Sequence, residues 1–176
     1  MGKLKERIQK RANYAARFDL PYLDLEQIQE LNRQAADLEG EALNAKRAEF
    51  VAEHCYLKLT VTRLADAEIG RAEELARKPY KLITKESSEQ ELNAAFSDYL
   101  AIRRDQVWPM LRRHVEKAWE RSEEGVWANV PLPEANQELD ATGLPERAWL
   151  VARYYDAVAE DRKKAEADPN FTARAS

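Results

Sequence analysis

Residues 41–78 read EALNAKRAEFVAEHCYLKLTVTRLADAEIGRAEELARK, a stretch without proline and with Gly70 as its single glycine. Leu43, Phe50, His54, Leu57, Val61, Leu64, Ala72 and Leu75 recur at helical steps close to a heptad seam, with Arg47 and Glu68 on the same seam. That spacing predicts one continuous helix, stopped by Pro79. At ~1.5 Å per residue it would be about 57 Å long, too long for a compact globule of this chain length, whose diameter is roughly 40 Å.

A partner helix follows. Ser88 with Glu91 three residues on forms a capping box ahead of Leu92. Leu92, Phe96, Tyr99, Val107, Met110, His114 and Ala118 then share a face to about residue 122, with a kink or break expected at Trp108-Pro109. The fold expected is therefore all-α and elongated, a single domain over 1–176 built on a long antiparallel, coiled-coil-like helical hairpin (41–78 and 88–122).

Shorter helices flank it. One runs through Leu4, Ile8, Ala12, Ala15 and Phe18 and ends before Pro21. Another starts after Asp24, and Gly40 stands where a helix C-terminus favours a left-handed residue. Residues 123–144, punctuated by Gly125, Pro131, Pro133 and Gly143, read as an irregular strap packed across the helices. Pro145 opens a last helix to about residue 168. Trp108, Trp119, Trp127 and Trp149 fall in the C-terminal half, and at least two of them should form a core there.

Composition narrows the function. The chain has 176 residues, 28 Lys+Arg against 32 Asp+Glu, and a net charge of -4, so no global field draws it to nucleic acid or anionic lipid. A mean hydropathy of -0.70 and the lack of any ~20-residue apolar run exclude a membrane span. MGKLKERIQKR has no apolar run behind its charges and so reads as no signal peptide, and cytoplasmic residence is the expectation. A single cysteine, Cys55, allows no disulfide and no Cys-built metal site. Glycine-rich phosphate loops, GxSxG and HExxH are missing, and the residues three before His54 and His114 are Val51 and Leu111, which excludes a Glu-x-x-His metal pair. No cofactor and no metal site is expected.

Several clusters could bind or react. Arg77, Lys78, Lys81 and Lys85 surround Tyr80 in the loop joining the two long helices, where cations could hold phosphates and the ring could stack on a base. They could equally complement a helix C-terminus and keep the loop soluble. Arg103-Arg104 and Arg112-Arg113 form doublets about 12–14 Å apart along a helix, a spacing that could follow a nucleic-acid backbone. Lys117 and Arg121 extend them, while Glu116, four residues from Arg112, offers an intrahelical pair. The N-terminal segment carries Lys3, Lys5, Arg7, Lys10, Arg11 and Arg17 against Glu6, suited to a membrane surface, an acidic partner or nucleic acid, or to docking on the acidic stretch just downstream. Cys55 and His114 could meet across the hairpin as nucleophile and base, although a lone buried cysteine more often serves as a small hydrophobe.

Arg47 and His54, six residues between them on one predicted helix, share a face two turns apart. This pattern resembles the Arg-x4–6-His signature of HEPN-type ribonucleases. The resemblance implies a helical dimer with His54 as acid or base and Arg47 holding a phosphate. The reading internal to the fold is that His54 is a seam residue bonded across the hairpin, with Arg47 snorkelling outward.

The function expected first is a non-enzymatic structural or adaptor subunit that binds a protein partner or further copies of itself through the hairpin. A nucleic-acid-binding accessory factor using the basic tip and the Arg doublets comes second, and a ribonuclease third.

Overall fold

The computed structural model, described over residues 14–167, shows a mixed helix-and-sheet fold in place of the all-α hairpin. In chain order it comprises β1 (Arg17–Tyr22), α1 (Leu25–Gln34), α2 (Gly40–His54), β2 (Leu57–Thr62), α3 (Asp66–Ala76), a 3-10 turn (Lys78–Leu82), α4 (Glu89–Arg113), β3 (Val115–Arg121), β4 (Trp127–Val130), α5 (Leu132–Ala141) and α6 (Leu144–Ala167). The four strands form one antiparallel sheet in the order β1-β2-β3-β4.

The long 41–78 helix is corrected at LKLTVT, residues 57–62. Leu57, Leu59 and Val61 alternate with Lys58, Thr60 and Thr62, a period of two over a run rich in β-branched side chains. Every second apolar residue also falls on a step of four, so Leu57 and Val61 fit a heptad seam as well as a strand. Tertiary pairing decides for the strand: Leu57, Leu59 and Val61 lie opposite Tyr22, Leu20 and Phe18 of β1. There is thus no coiled-coil seam over 41–78. The first helix is corrected in the same way, because RFDLPY (17–22) alternates as a strand up to Pro21; residues 1–13 lie outside those described.

The second long helix is half right. The Ser88–Glu91 capping box is present and α4 begins at Glu89. Pro109 does not break it, and the helix runs on to Arg113. Residues 115–121, read as its last turns, are β3 instead. The 123–144 strap resolves into the β3–β4 connection, β4 and α5. Gly40 adopts the expected left-handed conformation (φ +55°) but opens α2 rather than closing α1.

One face of the sheet makes the core. Phe18, Leu20, Tyr22, Leu57, Leu59, Val61 and Ala118 meet Val107, Trp108 and Leu111 of α4, Ala135 and Leu139 of α5, and Trp149, Leu150 and Tyr154 of α6. Trp108 and Trp149 are thus the two core tryptophans. Helix α6 also closes the outer edge of β1: Trp149 Nε1 donates to the Pro21 carbonyl at 2.9 Å, and the Asp161 carboxylate accepts from the Ala15 N–H and from Arg63 Nη1 (2.7 Å). Pro21 suits that edge, since it has no N–H to leave unpaired. Helices α3 and α4 form a short antiparallel hairpin, with the 3-10 turn and residues 83–88 as its tip.

Candidate functional site

Helix α4 carries the most unusual surface. Its apolar residues Leu92, Phe96 and Leu100 step by four, and the same face continues into Val107 and Leu111. The C-terminal half of that face is core, with Val107 at 0% and Leu111 at 2% exposure. In the N-terminal half it is only partly covered: Leu92, Phe96 and Leu100 are 42%, 50% and 39% exposed. Leu82 of the 3-10 turn is 83% exposed. Tyr80 joins the patch through Tyr99, whose ring lies 5.7 Å from that of Tyr80 and 6.4 Å from that of Phe96. The hairpin thus presents a run of apolar and aromatic side chains to solvent, a feature that marks interaction sites.

The inner side of the hairpin combines buried Ala72, Ala76 and Ala95 with a polar network. The Tyr99 hydroxyl donates to Glu73 at 3.0 Å, and Arg103 donates to the Tyr99 oxygen at 3.2 Å while stacking over the Tyr155 ring at 4.3 Å. Burial raises the pKa of both Tyr99 and Tyr155. This network ties α3, α4 and α6 together and fixes the orientation of the patch above it.

The basic residues expected to act together are placed as follows. Lys78, Lys81 and Lys85 are exposed around the tip and have no partner among the described residues; Arg77 sits 3.8 Å from Glu73. The doublets are split. Arg103 is turned into the helix network, Arg104 pairs with Asp105 (2.7 Å), Arg112 pairs with Asp140 of α5 (2.9 Å), and Arg113 is exposed. Lys117 and Arg121 belong to β3, where Arg121 Nη1 donates to the Ala52 carbonyl at 2.6 Å.

Arg47 and His54 lie on the same helix, α2, but line different surroundings. The His54 ring packs on Phe50 at 4.3 Å and sits 3.6 Å from Glu53, whereas Arg47 faces α6. Cys55 is buried, its thiol donating to the Leu57 carbonyl, and burial raises its pKa so that it stays protonated. His114, with Nδ1 2.8 Å from the Met110 carbonyl, stands at the opposite end of the β2–β3 pair. The five or six strand residues between them span roughly 20 Å at ~3.3 Å each, so Cys55 and His114 do not meet.

Sequence reasoning missed the second face of the sheet, because helical periodicity over these residues hides their alternation. Thr60 donates to Asp19 at 2.6 Å and accepts from Trp119 Nε1 at 3.0 Å, Arg17 pairs with Glu116, and Lys58 lies 3.9 Å over the Trp127 ring. Lys117 lines a shallow pocket of about 480 Å³ with Arg17, Asp19, Thr60 and Trp119. Alternation over 57–62 and 115–121 was the signal that could have placed these side chains together.

Among the described residues no group of three or more His, Cys, Asp or Glu side chains is placed to hold a metal ion. No helix among them is long and apolar enough to cross a membrane. Comparison with known proteins finds no matching family model, no matching curated protein and no matching solved structure.

Proposed function

We propose that the chain is a non-enzymatic subunit of a protein assembly that docks through its α3–α4 hairpin. The observation that carries this reading is the half-covered apolar face of α4: one helix face is core at Val107 and Leu111 and solvent-facing at Leu92, Phe96 and Leu100. A partner helix laid along residues 92–100 would continue the core outward by helix-in-groove packing. Lys78, Lys81 and Lys85 rim the tip side of the patch and favour a partner with acidic residues flanking its apolar face.

The test is affinity capture with the full chain, comparing wild type, Leu92→Asp, Phe96→Asp and the charge reversals Lys81→Glu and Lys85→Glu. A docked partner is lost with each apolar-to-Asp change and retained, with slower association, after charge reversal. Capture that survives Phe96→Asp removes the hairpin from the interface.

A nucleic-acid contact at the tip is the second reading, favoured by the three unpartnered lysines around Tyr80. It requires affinity that falls steeply with salt and with Lys81→Glu.

A further inference from the structure

Between α2 and α6, beside the β1 edge strand, lies a cleft of about 420 Å³. Asn44 and Arg47 line its α2 wall, and Arg153, Asp156, Glu160 and Lys163 its α6 wall. The spacings 44/47 and 153/156/160/163 put each set on one helix face, so both rows point into the same space.

The charges there are not balanced among themselves. The Arg153 side chain is only 16% exposed, held by Asp156 at 2.8 Å and stacked 4.4 Å over the Trp149 ring. Its Nε is fully buried and has no acceptor among the described residues. Burial lowers the Arg153 pKa, Asp156 works against that, and the charge of Arg47 adds to it. Two guanidinium groups therefore converge on one cleft, and neither nearby carboxylate serves Arg47. Asp156 is engaged by Arg153, and Glu160 pairs with Lys164 at 2.8 Å. Lys163 brings a third cation without a partner among the described residues.

An anion between Arg47 and Arg153 would relieve their repulsion through charge-assisted hydrogen bonds, the guanidinium fork being matched to phosphate. Arg153 is already paired with Asp156, so Arg47 and Lys163 supply the charge free to meet a phosphate, with Arg153 as a further donor. Asp156 and Glu160 keep free lone pairs on the same wall, and these can accept from ligand hydroxyls. We propose that the α2–α6 cleft binds a phosphate monoester bearing hydroxyl groups, the phosphate held by Arg47, Arg153 and Lys163. This site is separate from the hairpin surface and stands whether or not the docking reading holds.

The same chemistry could come from a free sugar phosphate or from the 5′-phosphate end of a nucleic acid. The experiment is isothermal titration of the full chain with ribose 5-phosphate and with a 5′-phosphorylated oligonucleotide. Tryptophan emission is followed in parallel, because Trp149 lies under Arg153. Saturable binding is expected in wild type, weakened at least tenfold by Arg47→Ala, less by Arg47→Lys, and unchanged by Arg71→Ala, which removes an exposed cation elsewhere. Thermal melts confirm that each variant folds. Tighter binding of ribose 5-phosphate assigns a free metabolite, and tighter binding of the oligonucleotide assigns a nucleic-acid end. Absence of binding by both probes at millimolar concentration overturns the proposal, as does equal binding by wild type and Arg47→Ala.

Discussion

The Tyr154 hydroxyl accepts a hydrogen bond from the Leu64 backbone N–H at 2.9 Å, joining positions ninety residues apart. Both residues are buried, at 2% and 3% exposure, and the Tyr154 ring meets Phe18 edge-on at 5.8 Å. One side chain thus satisfies the backbone just past β2 and packs on β1, so α6 is seated on the sheet by a polar anchor inside an apolar core.

Replacing that anchor gives the first prediction. Tyr154→Phe keeps the ring and leaves the Leu64 N–H buried without an acceptor, which costs about 1–3 kcal/mol. Urea unfolding should show a lower midpoint with an unchanged slope. A midpoint equal to wild type would mean that this hydrogen bond contributes nothing.

Core and hairpin substitutions should separate cleanly. Leu57 and Val61 are strand residues at 5% and 1% exposure, so Leu57→Asp or Val61→Asp buries an unpaired carboxylate and should abolish the cooperative melt rather than report on docking. Phe96 is 50% exposed and stacks on Tyr99, so Phe96→Asp should keep the melt cooperative at a cost of about 1 kcal/mol. Thermal unfolding by circular dichroism distinguishes the two classes.

Alkaline stability follows from the buried phenols. Burial, with Glu138 adding to it, pushes the Tyr56 pKa up to about 12 from 10.0, and burial is the first cause raising Tyr22, Tyr99, Tyr154 and Tyr155. The folded state therefore holds these protons more tightly than the unfolded chain does. The resulting stability is present below about pH 10 and is lost as pH rises toward 12. Tyrosinate absorbance at about 295 nm and the far-ultraviolet dichroism should change together in this window. Five tyrosinates forming near pH 10 with the dichroism intact would contradict the burial.

Local signals were legible in the sequence where they depend on neighbours a turn away. The Ser88–Glu91 box caps α4, α1 starts just after Asp24, which caps it with Gln27, and Pro145 lies in the first turn of α6. Sheet pairing was not legible in the same way. Leu57 and Val61 satisfy two periods at once, and the choice between them is made by Phe18, Leu20 and Tyr22, some forty residues earlier. The candidate surfaces divide along the same line. Lys78, Lys81 and Lys85 cluster because they are close in sequence, whereas Arg47 and Arg153 come to line one cleft only through the tertiary fold. The apolar stripe of α4 was visible as a helix face, but which half of it stays open depends on where the body of the fold ends.

The most direct test of the docking account is photocrosslinking of the full chain from position 96, with position 124 in the exposed β3–β4 turn as the control. The account predicts one discrete adduct from position 96, none from position 124, and loss of that adduct on competition with unlabelled wild type but not with Phe96→Asp. Equal adducts from both positions, or an adduct that Phe96→Asp competes away as well as wild type does, would contradict it.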